Sequence, residues 1–162
     1  MEKVNVVKIV TVWAAGIVSA AAAWLFARLG VLLYVLFILA LAMAIDYITG
    51  MLASKTEAID HPEDPDYGWN SKKGAKGIIK KVGYLCMIAV AMMVDYVILH
   101  VSSEIGVDIT LKAFFGLMVA VWYLLNEALS IIENAGRMGA PVPEWLKKYI
   151  AVLKDKIESK GE

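Results

Sequence analysis

Residues 33–53 read LYVLFILALAMAIDYITGMLA, and the fold turns on how one letter in that run is explained. No charge separates Arg28 from Asp46. The apolar stretch is long enough to enter a bilayer, where a spanning helix needs roughly 20 apolar residues. Asp46, followed by Tyr47, Thr49 and Gly50, therefore stands at a depth where an acid costs about 2.5–3.5 kcal/mol on insertion scales. Such a group requires a partner, a proton or a function. Two later apolar runs repeat the arrangement with Asp95 and Glu127.

Composition supports a membrane class. Apolar residue types make up 60% of the 162 residues and mean hydropathy is +0.65, against about 45–50% apolar in soluble domains. Four windows have spanning length: 9–27, 31–53, 82–100 and 113–132. They are apolar nearly all round, whereas helices of a soluble bundle keep a polar face. The expected fold is all-α and integral to the membrane, with four transmembrane helices in two hairpins, followed by a C-terminal amphipathic helix. Residues 1–137 would form the transmembrane domain with a polar loop at 54–81, and residues 138–162 the amphipathic tail.

Several function classes find no support. Cys86 is the only cysteine, so one chain holds neither a disulfide nor a cysteine metal cluster. Formal charge is zero, which gives no field for nucleic acid. Metal-ligand spacing, a nucleophile with its base and a dinucleotide turn are missing, and Gly74-Ala-Lys-Gly77 is too short for a phosphate loop. The expectation is a non-enzyme without cofactor or metal. Small residues at Ala20–Ala23 are followed at once by a second apolar run, so the first run reads as a retained helix rather than a cleaved signal.

Charge asymmetry gives an orientation. Fourteen of the sixteen Lys and Arg residues fall before window one, between windows two and three, or after window four. Short basic segments stay cytoplasmic, so both termini and the middle loop are expected there. Within that loop, residues 57–66 are acidic with Pro62 and Pro65 and read as mobile polar chain. The run from Trp69, with Lys72, Lys73, Lys76, Lys80 and Lys81, suits an anionic inner leaflet, or else simply a solvated loop.

The helices differ in their polar content. Window one carries Ala15, Gly16, Ser19, Ala20 and Ala23 at small-xxx-small spacing, a face for close helix packing. Window four carries Tyr123, Asn126, Glu127, Ser130, Asn134 and Arg137 at helical intervals, a polar stripe that must face the bundle, another subunit or water. Beyond Pro141 and Pro143, residues Leu146, Tyr149, Ile150, Leu153 and Ile157 form an apolar stripe flanked by Lys147 and Lys148. That helix is expected on the inner leaflet or on a neighbouring subunit. Asp46 and Glu127 come to similar depths and would share a polar layer with Asn126, Thr49 and tyrosines, or Lys80 or Lys81 would reach Asp46. Asp95 lies at another depth and would pair separately.

The segments Asp46-Tyr-Ile-Thr-Gly50, Ser71-Lys-Lys-Gly-Ala-Lys-Gly-Ile-Ile-Lys-Lys81, Asp95, Asn126-Glu-Ala-Leu-Ser-Ile-Ile-Glu-Asn134 and Gly139-Ala-Pro-Val-Pro143 occur in that order. Together they resemble the phage holin family that also includes the toxin-secretion holins of clostridia. The resemblance covers about residues 40–153 and leaves helix one outside. It implies a phage- or prophage-encoded homo-oligomer of the bacterial cytoplasmic membrane that makes lesions for host cell lysis. An endolysin, or in some cases a toxin, crosses through them without required direct contact. Two other classes remain open on the residues alone. One is a small ion channel or proton-coupled carrier using the intramembrane acids, and the other is a non-conducting membrane scaffold.

Overall fold

Gly30 divides the N-terminal apolar stretch in two. Its φ of +50° lies in the left-handed region that an L side chain adopts only with strain, and the chain reverses there between α1 (Val6–Leu29) and α2 (Val31–Asp60). The computed structural model describes residues 6–64, 67–109 and 113–159. It continues with α3 (Ser71–Glu104), α4 (Phe114–Arg137) and α5 (Glu144–Glu158), and the described residues contain no strand. Helices α1 to α4 are each long and apolar enough to cross a membrane.

The second and third helices are longer than their apolar windows. The loop expected over 54–81 is corrected to a connector between Asp60 and Ser71. Helix α2 stops where Pro62 disfavours helical backbone at His61. Helix α3 begins eleven residues before its apolar window because Asn70 caps it, its side-chain oxygen accepting the Lys73 amide at 2.9 Å. With 30 and 34 residues, α2 and α3 are about 45 and 51 Å long, well beyond the roughly 30 Å of hydrocarbon. Parts of the expected polar loop (residues 65 and 66), of the short connector (110–112) and of both termini (Lys3 and residues 160–162 among them) lie outside the described residues.

Helix α4 is the centre. It packs most extensively on α2, then on α3 and α5, while α2 and α3 meet each other only locally. Leu32, Leu39 and Met43 of α2, Tyr84 and Ile88 of α3, and Ala120 of α4 form the buried core. No residue of α4 between 117 and 132 is fully exposed. Helix α1 is the opposite case, because none of its residues 6–27 is buried. It meets α2 around the turn, where the Phe26 and Tyr34 rings stand edge to face 4.7 Å apart. Ala15, Gly16, Ser19, Ala20 and Ala23 are all exposed, and nothing lies within 4 Å of a Cβ built on Gly16.

Helix α5 departs from its expected resting places. It folds back antiparallel on α4 of its own subunit, and Glu158 accepts a 2.9 Å hydrogen bond from the Trp122 indole. Leu146, Lys147, Ile150, Lys154 and Ile157 are half-buried, whereas Tyr149 and Leu153 of the expected stripe stay exposed with Trp145.

Candidate functional site

The intramembrane acids are tied into a ladder of polar side chains from α2, α3 and α4. At one end, the Lys81 ammonium bridges Glu127 of α4 and Asp46 of α2, with 2.8 Å to the Asp46 carboxylate. The Asn134 amide then donates to the other Asp46 oxygen at 3.1 Å and to the Thr49 hydroxyl at 3.3 Å. The Asn134 carbonyl oxygen accepts from Arg137 at 3.0 Å, and Arg137 closes a bidentate pair with Glu57, both contacts at 2.7 Å. Glu127 is 2% and Asn134 5% exposed, while Arg137 and Glu57 sit half open. The ladder therefore runs from a dry end to a wet one.

Helical geometry explains why these residues meet. Glu127, Asn134 and Arg137 are spaced by seven and three, which keeps them on one face of α4 over about 15 Å. Asp46 and Glu57 are eleven apart, three turns, on the facing side of α2. Lys81 enters from α3. In lipid no water satisfies these groups, so each donor and acceptor has to be met from inside the bundle. Among the described residues, no fully buried side-chain nitrogen or oxygen lacks a partner.

Asp95 is satisfied by a different device. Its two carboxylate oxygens accept the backbone amides of Phe115 and Gly116, at 2.9 and 2.7 Å, so an acid from α3 caps the N-terminus of α4. The first-turn amides of a helix have no intrahelical partner, and the helix dipole favours negative charge there. The contact requires Gly116. A Cβ at that position would meet the Met92 Cγ at 2.9 Å and an Asp95 oxygen at 3.2 Å.

The other expected residues distribute around this frame. Tyr123 stacks on Tyr84 with ring centroids 3.9 Å apart, and Lys80 lies over the Tyr84 ring at 5.5 Å. Gly50 gives Asn134 room, a Cβ there falling 3.4 Å from the Asn134 amide nitrogen. Ser130 and Tyr47 line a cavity of about 210 Å³ together with Trp69, Gly74, Asp46 and Lys81. That cavity leads to the ladder. Asn126 is half-buried and stands outside the ladder, so the expected polar layer is built on Asn134 instead. Lys72, Lys76 and Lys148 are exposed, Lys73 donates to the Gly68 carbonyl oxygen at 3.0 Å, and Lys147 approaches Glu144 at 3.6 Å. Lys81, counted with the basic surface and also, with Lys80, as a possible partner of Asp46, turns inward and reaches Asp46. Glu57, expected in mobile polar chain, is corrected to a helical residue of α2 that pairs with Arg137, and Tyr84 and Gly116 carried no expectation. No group of three or more His, Cys, Asp or Glu able to hold a metal occurs among the described residues.

Residues 20–155 match the family model described as the bacteriophage holin family. The chain belongs to that family. The match takes in the second part of α1 and all but the last turn of α5, so it covers ladder, cap and amphipathic tail together. An uncharacterized protein of Halalkalibacterium halodurans is similar, 37% identical over 142 residues, which is 88% of this chain and 92% of that one. An uncharacterized protein of Listeria monocytogenes is 36% identical over 112 residues, 67% of this chain and 63% of its own length. An uncharacterized 14.9 kDa protein from the nagH 3′ region of Clostridium perfringens is 29% identical over 117 residues, 69% of this chain and 70% of its own. No solved structure matches the chain. Holins are membrane proteins rather than enzymes, and four helices of spanning length agree with a multi-pass member.

Proposed function

We propose that this holin-family chain assembles with itself in the bacterial cytoplasmic membrane and opens lesions through which an endolysin, or a secreted toxin, leaves the cell. Both termini and the α2–α3 connector face the cytoplasm in this reading, as the lysine distribution favours. The single observation that carries it is the ladder from Glu127 to Glu57 inside a bundle of spanning helices. A protein destined only to pack in lipid gains little from charges buried among its helices, since apolar replacements of similar shape are often as stable. A protein that later exposes the same face to water keeps those groups satisfied in both states, by one another in the closed bundle and by water once it opens. Asp46, Glu127, Asn134 and Ser130 would then line the wet side of the opened assembly, and the exposed helix α1 would provide contacts between subunits.

The cavity beside Asp46 and Lys81 favours one competing reading, passage of small ions without larger cargo. Expression in bacteria decides between them. The lesion reading expects membrane potential to collapse and a cytosolic reporter enzyme to be released once a peptidoglycan hydrolase is supplied. Depolarisation with the wall-degrading enzyme retained inside supports an ion channel. No change in permeability at any expression level leaves a scaffold.

A further inference from the structure

Helix α5 is too polar to lie where the structure puts it if lipid surrounds that place. Trp122 is fifteen residues before Arg137 on α4, about 22 Å along the axis from the wet end of the ladder, and so within the hydrocarbon of a spanned bilayer. Yet Trp122 donates to the Glu158 carboxylate and lies under the Lys154 ammonium, 5.1 Å from its ring. Asp155 and Lys156 are exposed on the same turn. Four charged side chains at that depth on the outside of a bundle would be driven back to the interface. Helix α5 can hold this position only where its side of α4 faces water or protein.

We infer that α5 is a plug. It occupies the face of α4 that looks into the interior of the assembly, and its departure from Trp122 opens the water-filled passage. The contact ends at an open groove of about 490 Å³, lined by Phe114, Phe115 and Met118 of α4 and, on α5, by Ile157 and Glu158 of its last turn. A second resting place is built into the helix. Trp145, Tyr149 and Leu153 are 62%, 66% and 49% exposed while α5 is docked, next to Lys148 and Lys156. That outward face suits the headgroup zone of an anionic membrane, so α5 exchanges one apolar contact for another when it leaves. The inference rests on the lesion reading, and its test separates the two.

The full chain is prepared with Cys86→Ser, Trp122→Cys and Glu158→Cys and placed in dye-loaded vesicles containing anionic lipid. The two new thiols are joined by a bis-maleimide whose spacer contains a disulfide. Crosslinked protein should run as a monomer without reductant and release dye at least tenfold more slowly than unlinked protein, and reductant should restore release. In a Cys86→Ser, Trp122→Cys chain, a membrane-impermeant maleimide should modify position 122 at least tenfold faster once vesicles become permeable. Equal release from linked and reduced protein overturns the plug while leaving the lesion reading intact. So does failure of the link to form within one subunit, or a position 122 that stays unreactive after permeabilisation, which would place that face in lipid. Absence of release from unlinked protein counts against the lesion reading instead, and labelling of position 122 then still reports whether that face meets water.

Discussion

Lys81 is the residue whose loss should cost the most. Its ammonium is shared by two carboxylates, Asp46 and Glu127, whose side chains are 17% and 3% exposed, and its own is 14% exposed. Lys81→Met keeps the length and apolar stem but leaves two facing acids without their cation. Removing one partner of a buried ion pair costs about 3–5 kcal/mol, because the remaining charge is neither solvated nor compensated. At 1.36 kcal/mol per decade, the folding equilibrium should fall by roughly two to four powers of ten. Glu127→Gln is the informative contrast, since it leaves a one-to-one Lys81–Asp46 pair and an amide of the same shape, and should cost about 1 kcal/mol or less. The triple replacement Asp46→Asn, Lys81→Met, Glu127→Gln removes every charge together and should recover most of the loss. Unfolding in mixed micelles by titrated SDS, followed by tryptophan fluorescence, measures all four proteins. A Lys81→Met protein within about 1 kcal/mol of the parent, or Glu127→Gln as damaging as Lys81→Met, would refute the ladder as a source of stability.

Other perturbations address the remaining features. Asp95→Ala should destabilise the bundle by about 1–2 kcal/mol in the same titration, as expected for a lost helix cap, and Asp95→Asn by less because one acceptor survives. Gly116→Ala should cost on the order of 1–3 kcal/mol by pushing Met92 and Asp95 away, whereas Gly50→Ala, whose Cβ makes an ordinary contact with Asn134, should fall within about 1 kcal/mol of the parent. Arg137→Ala should cost about 1 kcal/mol or less despite its two short contacts, since Arg137 is 42% exposed and screened. Gly16→Leu with Ala20→Leu should leave the monomer's stability unchanged and reduce chemical crosslinking between subunits. Undiminished crosslinking would remove α1 from the interface.

Much of this was legible from residues alone, and what was not has physical causes. Burial of Asp46 and Glu127 in one layer follows from similar depths on helices that run the same way. The stripe on α4 follows from its 3.6-residue period, which also contained Asn134 and Arg137. The partner of that stripe was less visible, because Lys81 lies next to Lys80 in a basic run and charge type says nothing about which neighbour turns inward. The start of α3 was hidden by the polarity of residues 71–81, and the Asn70 cap on the Lys73 amide is seen only in the structure. The Asp95 cap on α4 has no sequence period at all, since it joins residues twenty apart through backbone amides. The fold-back of α5 was equally hidden, because an amphipathic helix has the same pattern whether its apolar side meets lipid or a neighbouring helix.

The three intramembrane acids are solved in two ways, and the difference matters for how such a bundle opens. Asp95 is bonded to first-turn main-chain amides of α4, so losing the contact removes that helix's cap and costs about 1–2 kcal/mol of its stability. The ladder joins side chains to side chains, and water can take the place of each partner without breaking any helix. Helix α4 therefore has a fixed end at Asp95 and a releasable end at Arg137, where Glu57 and Arg137 are already half solvated. In an opening motion, α2 and α4 would separate from the Arg137 end towards Lys81, while Asp95 keeps α3 and α4 hinged together. In that reading solvation would set the order: the Arg137–Glu57 pair would part first at small cost, and the dry Lys81–Glu127 contact last. Cysteines at positions 57 and 137, linked by a short bis-maleimide, should consequently arrest permeabilisation more completely than a link placed between α3 and α4 near Asp95, where no separation is required. The reverse result would mean that the bundle opens from the Asp95 end and that the ladder is the permanent joint.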